Sequence, residues 1–273
     1  VKKPTKPTKP INTVAILGDI HCGSAYALVP PDWWNGRTLK AVKQLWDCWV
    51  WAVDQLPAVD LLILNGDLVE GKARKSDATG LVATKMSEQT EMAVETLRPV
   101  VAKARKTIRM SGTPYHETFD GPLKALDQEF GIKAPRDDRR GMVRDIRLDG
   151  DAILNVAHHP EGGAAMYRAT MMEREGLWAT LAQEVKQLPK ATHIVRSHVH
   201  FYSQLVAFGK VIVQCPCWKL QDPYSIKGRN WRWQPDHGIV LMTRDEVWGH
   251  RGYRTNCLQV DTPRVKATTY AEL

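Results

Sequence analysis

The sequence predicts an α/β fold whose chemistry gathers where its strands end, and three observations carry that reading. Apolar and β-branched runs such as Thr13-Val14-Ala15-Ile16-Leu17 and Leu61-Leu62-Ile63-Leu64 read as short buried strands. The stretches between them place apolar residues at helical spacing. Five of the runs lead straight into groups of Asp, Glu or His, at the sheet edge where open α/β folds bind ligands.

With 273 residues and 43% apolar content, the chain can bury a large core. The expected organisation is a basic Pro/Thr/Lys tail over 1–10, one domain over 11–262 and a loose end over 263–273. No apolar run reaches the ~20 residues that span a bilayer. The basic start lacks the apolar stretch of a secretory signal, so the expected location is the cytoplasm, with no membrane partner. The five cysteines then read as reduced thiols and not as a disulfide framework. Net charge is +8, but Lys2, Lys3, Lys6 and Lys9 leave only +4 for the remainder. The body is therefore only mildly basic, and the tail reads as an extended, solubilising leader.

The first strand opens into Gly18-Asp19-Ile20-His21, where extended backbone would carry Asp19 and His21 to one face. Cys22 beside them reads as a small buried spacer. An amphipathic helix is expected over 37–56, with Trp46, Trp49 and Trp51 as packing residues. The second strand feeds Asn65-Gly66-Asp67-Leu68-Val69-Glu70. Gly66 allows a tight turn that brings Asp67 towards Asp19, and Asp67 is the candidate to bridge two cations. Glu70 either orients a ligand through a hydrogen bond or serves as a cap or salt-bridge partner.

A loop is expected over 72–82 and a long helix over 83–106, with its cations in the last turns. Strand 107–110 leads to Gly112-Thr113-Pro114-Tyr115-His116-Glu117, in which His116 is a proton donor or a ligand. A helix follows over 120–130, then a charged loop and a half-exposed strand over 142–148. A turn at Asp149-Gly150-Asp151 joins it to the strand before His158-His159-Pro160. Adjacent histidines on extended backbone point apart, so one is expected to bind metal and the other to lie behind it or in the substrate path.

The region 162–188 reads as helical with a break at Gly176. His193 then reads as a packed residue, and Ser197-His198-Val199-His200 again spaces two imidazoles by two. A hairpin is expected over 203–215 with its turn at Gly209-Lys210. Cys215-Pro216-Cys217 lacks the second pair that a zinc ribbon needs. The segment 224–233 interleaves cations with Trp231 and Trp233, either a base-stacking surface or a loop plugging an apolar gap. Closing strands are expected over 238–242 and 247–260.

Taken together, Asp19-Ile20-His21, Gly66-Asp67-Leu68-Val69-Glu70, the Gly112 to Glu117 variant, His158-His159-Pro160 and Ser197-His198-Val199-His200 resemble the five ordered blocks of the calcineurin-like metallophosphoesterase superfamily. The resemblance implies a four-layer α/β/β/α sandwich with a dinuclear metal centre at the strand ends. One cation would be held by Asp19, His21, Asp67 and His200, the other by Asp67, His158 and His198. Glu70, Thr113 and His159 would stand beside these ligands or in the substrate path. Carboxylate and imidazole donors suit manganese, iron or zinc without choosing among them, and the expected cofactor is two divalent cations, manganese first with iron or zinc as alternatives.

Two departures stand out. The family's third block is usually Gly-Asn-His-Asp/Glu, with Asn on the second metal and His assisting catalysis. Here two further residues intervene and Thr113, a poor neutral ligand, stands in place of Asn. Ser197 also replaces the usual Gly. The implied reaction is hydrolysis of a phosphoester by a metal-activated hydroxide, with His116 protonating the leaving oxygen. The expected substrate is a phosphodiester, single-stranded or double-stranded DNA above all. The alternatives are a phosphomonoesterase acting on a nucleotide or phosphoprotein and a non-catalytic metal-binding or interaction module.

Overall fold

Alternation along the first strand decides its surroundings. In β1 (Thr13–Leu17), Val14 and Ile16 enter one core while Ala15 and Leu17 enter another. The same division occurs in β2 (Leu61–Asn65), with Leu61 and Ile63 on one side and Leu62 and Leu64 on the other. A fully buried Leu or Ile side chain contributes ~1.5–3 kcal/mol, so such strands are stable only with apolar layers against both faces. The computed structural model describes residues 10–36, 38–72, 80–117, 122–132, 142–149, 152–160, 167–223, 234–245 and 252–261.

Those layers come from two five-stranded sheets and the helices outside them. The first sheet has the order β10-β9-β1-β2-β3, completed by β3 (Thr107–Met110), β9 (His237–Arg244) and β10 (Tyr253–Val260). β1, β2 and β3 run parallel, so their exits share one edge. The second sheet has the order β4-β5-β6-β8-β7, from β4 (Val143–Asp149), β5 (Ala152–Ala157), β6 (His193–Arg196), β7 (Ser203–Ala207) and β8 (Lys210–Gln214). β5 and β6 are again parallel neighbours.

Leu154, Val156, Val195 and Val213 meet Val14, Ile16 and Ile63 in the core between the sheets. On the outer face of the first sheet lie α1 (Lys40–Gln55) and α2 (Met86–Ala102), whose Leu45, Trp49, Met92 and Leu97 share a core with Leu62 and Leu64. Against the second sheet, Met172 of α4 (Arg168–Glu184) packs with Ile194 and Ile212. The layers are therefore α/β/β/α. A shorter helix, α3 (Pro122–Glu129), is tied to β3 by a buried ion pair in which Arg109 Nε and Nη2 each reach Asp127 at 2.8 Å.

Several expectations require correction. α4 runs unbroken through Gly176, because a Cβ there would lie 2.6 Å from Ile212 Cδ1 and 2.7 Å from Phe208 Cδ2, so the glycine permits close helix–sheet packing. The β7–β8 turn falls on Phe208 and Gly209, with φ of 53° and 65°, one residue earlier than expected. Positive φ at both central residues suits a two-residue hairpin. α2 is shorter than expected and has no cation in its last turn. Of the three tryptophans on α1, Trp49 is buried but Trp51 is exposed. The strand expected over 238–242 is longer, at 237–244, and the strand expected over 247–260 is described at 253–260, residues 246–251 lying outside the described residues.

His193 is a packed residue, 2.8 Å from Thr192 Oγ1. Cys22 is fully buried, which pushes its thiol up to about 12. The tail over 1–9, the cationic aromatic segment 224–233 and the end over 262–273 lie outside the described residues. Among the described residues, no helix is long and apolar enough to cross a membrane.

Candidate metal centre

Strand pairing between β1 and β2 continues beyond both strands. Asp19 N donates to Gly66 O at 3.0 Å, His21 N to Asp67 O at 2.9 Å and Cys22 N to Leu68 O at 3.0 Å. The two loops thus run side by side and set Asp19, His21 and Asp67 together. They do so without extended backbone: Asp19, His21 and Asp67 have φ of 51°, 52° and 49°, and His198 and His200 have 75° and 62°. This corrects the geometric premise behind both two-residue spacings. A non-glycine residue in the left-handed region costs ~1–3 kcal/mol, and such residues concentrate at functional sites.

Asp19 is fully buried at the centre of one side. Its Oδ2 accepts from His198 N at 2.9 Å, while Oδ1 has no hydrogen-bond partner. Facing Oδ1 are the Nε2 atoms of His200 at 3.3 Å, His21 at 3.7 Å and His158 at 3.9 Å. Burial alone would raise the carboxyl, but His158 and His200 hold it well below the usual range.

Behind this side stands a chain of charges. His21 Nδ1 lies 2.8 Å from Glu70 Oε2, both Glu70 oxygens accept from Lys219 Nζ at 3.0 Å, and Lys219 also meets Asp222 at 3.0 Å. Burial opposes ionisation of Glu70, yet His21 and Lys219 bring it down to about 2. The Glu70 carbonyl accepts from His116 Nδ1 at 2.6 Å, leaving His116 Nε2 for other work. Burial and the neighbouring His21 push the His116 imidazole down.

On the other side, Asp67 Oδ1 accepts from Thr113 N at 2.6 Å and its Oδ2 from Thr113 Oγ1 at 2.9 Å. His158 Nε2 lies 3.0 Å from the same Oδ2. His158 Nδ1 donates to Asn65 O at 2.6 Å, which directs Nε2 at the carboxylates. Burial disfavours its charge, but Asp67 and Asp19 push it up to about 10. His198, brought down to about 4 by burial and the nearby His159 and His158, has a buried Nδ1 with no hydrogen-bond partner. Gly112 is required here, since a Cβ would collide with the backbone nitrogen and carboxylate of Asp67.

The structure therefore brings together all ten residues singled out in the sequence. Among the described residues, four overlapping sets could each hold a metal ion: Asp19, His21 and His200; Asp19, Asp67 and His158; His21, Asp67 and His116; and His158, His159 and His198. Within each, one donor atom per residue lies within 4.8 Å of the others. Cations fit this donor set. A buried carboxylate oxygen without a donor is costly, and Asp19 Oδ1 faces imidazole nitrogens, two of which, on His21 and His200, are 3.2 Å apart.

Three contributors escaped sequence reasoning. Lys219 follows an apolar stretch and gives no signal until the fold sets it on Glu70. Glu117 accepts from Leu68 N and Gly112 N, each at 2.7 Å, and so clamps the β2 and β3 loops. Burial and the Asp67 charge push its carboxyl up to about 7. Asn65 Nδ2 donates to Ala157 O at 3.1 Å and Ser197 Oγ at 2.6 Å, joining the sheets beneath the cluster. Ser197, where the resembling family usually has Gly, thus supplies a hydrogen-bond acceptor. Cys215 and Cys217 are buried free thiols outside the candidate metal sets.

Fold and cluster together define an α/β/β/α sandwich with a candidate metal centre at its strand exits. No family model and no curated protein matches the chain. Among solved structures, Vps29 complexed with zinc from Entamoeba histolytica is 12% identical with a TM-score of 0.45, over 90% of this chain and 98% of that one. A predicted phosphoesterase from Streptococcus pneumoniae TIGR4 is 10% identical, TM-score 0.37, over 92% and 99%. An archaeal phosphodiesterase is 10% identical, TM-score 0.39, over 90% and 99%. At these scores the matches assign neither activity nor ligand to this chain.

Proposed function

We propose that the chain is a metal-dependent phosphoesterase acting on phosphodiesters, with nucleic acid as the substrate class. The observation that carries this reading is the meeting of Asp19, Asp67, His21, His158, His198 and His200 at one sheet edge, with Asp19 Oδ1 buried among imidazoles and without a donor. Asp19, His21, Asp67 and His200 would hold one divalent cation, and Asp67, His158 and His198 a second. When bound, such cations make hydroxide available near neutrality and offset charge gathering on phosphoryl oxygens.

The chain's own residues supply the remainder. Glu70 fixes His21 through its carboxylate and His116 through its carbonyl, so a single residue sets the angle between a ligand and a proton carrier. His116, anchored at Nδ1, moves a proton at Nε2 to the departing oxygen, a contribution of ~10²- to 10⁴-fold. Glu117 and Thr113 hold the Asp67 loop against the β3 exit, which limits reorganisation during the reaction. Beyond the tail the body keeps a net charge of +4, a mild positive balance compatible with a polyanionic substrate.

The test compares a bis-aryl phosphate, a mono-aryl phosphate and single-stranded DNA with manganese added. Hydrolysis of the diester and of DNA is expected. Monoester preference with inert DNA would replace the nuclease reading by a phosphomonoesterase. Silence on all three with metal bound would leave a binding module.

A further inference from the structure

Position 113, where the resembling family places the asparagine that binds its second metal, carries a threonine hydroxyl. That hydroxyl lies 3.5 Å from His158 Nε2 and 3.2 Å from His159 Nε2, so it marks a spot on which both imidazoles converge. The convergence is possible because β5 ends at Ala157. His158 and His159 occupy a bend beyond it and turn to the same side, contrary to the expectation from extended backbone. The His159 ring lies over the His198 ring with centroids 3.8 Å apart and planes 35° from parallel. Donor atoms of His158, His159 and His198 fall within 4.8 Å of one another, and the buried Nδ1 of His198 has no hydrogen-bond partner.

We propose that His159 is a direct ligand of the second cation, replacing the missing asparagine and giving that side three imidazoles and the Asp67 carboxylate. The inference rests on the metal-dependent reading above and deepens it. It also predicts a division of metal preference. The first side offers two carboxylates and two imidazoles, Asp19, Asp67, His21 and His200, and so tolerates manganese. Three nitrogens on the second side favour zinc or iron over manganese and magnesium. Thr113 Oγ1 then serves to position Asp67 and is not itself a donor to the metal.

The experiment titrates cobalt(II) into metal-free full-length protein, following visible absorption and heat, for the wild type, His159→Gln and His159→Gly. His159 is exposed, so both variants should keep the wild-type circular dichroism and Tm when metal-free. In the wild type two binding steps are expected. Each variant should weaken one step by ~100-fold or more, beyond the usual effect of losing a partner behind a ligand, and alter the absorption band of that step. Free imidazole should restore the band in His159→Gly. An unchanged band in both variants, with two steps retained, would overturn the assignment and leave the metal reading intact. Absence of cobalt binding to the wild type would instead defeat the metal reading itself.

Discussion

On the β1–β2 side of the cluster each imidazole or carboxylate is braced from behind: His21 by Glu70, Glu70 by Lys219, and the loops by the pairing that continues past Leu17 and Asn65. On the β5–β6 side, His158 is anchored on Asn65 O, but His198 Nδ1 has no partner and His159 is exposed. One half is thus held in place by the protein's own contacts, whereas the other has donors that only a bound cation would engage. Binding of a cation on the second side would therefore include the cost of ordering its side chains. The two sites should differ in affinity, the braced one being tighter.

The strongest way to break the comparison is to remove what both halves share. Asp67→Asn should abolish both binding steps in calorimetry and lower turnover by at least ~10³-fold, since the cations supply several kcal/mol of transition-state stabilisation. Retention of both steps would show that Asp67 is not common to the two sites. Next in size, His116→Ala should slow hydrolysis of a bis-aryl phosphate by ~10²-fold or more while metal content stays that of the wild type. Loss of one metal equivalent would make His116 a ligand.

A finer test separates the halves. Glu70→Gln removes the charge behind His21, so it should weaken the tighter step by ~10- to 100-fold and leave the weaker step unchanged. Equal weakening of both would remove the asymmetry. The smallest effect belongs far from the site. Asp60 Oδ2 accepts from Asn12 N at 2.7 Å and Thr13 N at 3.2 Å, and Arg105 pairs with its Oδ1. Burial would raise this carboxyl, but the backbone donors and Arg105 lower it. A folded-state pKa below the unfolded value contributes stability that is present above the unfolded pKa and lost as pH falls through the folded one. Asp60→Asn should therefore cost under ~1 kcal/mol at neutral pH and flatten part of the acid limb below about pH 4 in urea melts, without touching metal uptake.

Much of this was legible because strands announce themselves through apolar, β-branched runs. Thr13–Leu17 and Thr107–Met110 occupy the expected positions, and the Asp and His residues follow them in sequence as in space. What was not legible depends on contacts distant in sequence. The left-handed backbone of Asp19, His21 and Asp67 is held by paired loops, and only Gly66 hints at it. Lys219 gains its meaning from Glu70, 149 residues away. Gly176 suggested a helix break from its intrinsic propensity, but packing against Ile212 and Phe208 prevailed. Adjacent side chains point apart only on extended backbone, and His158 and His159 instead occupy a bend beyond the end of β5, which the apolar pattern of the strand does not specify.

The most direct test of a paired-cation centre is a calorimetric titration of manganese into metal-free protein, run beside His21→Ala and His198→Ala. Two steps are expected for the wild type, with only the tighter one lost in His21→Ala and only the weaker one lost in His198→Ala. A wild-type protein that takes up no manganese, or variants that both bind it as the wild type does, would contradict a paired-cation centre.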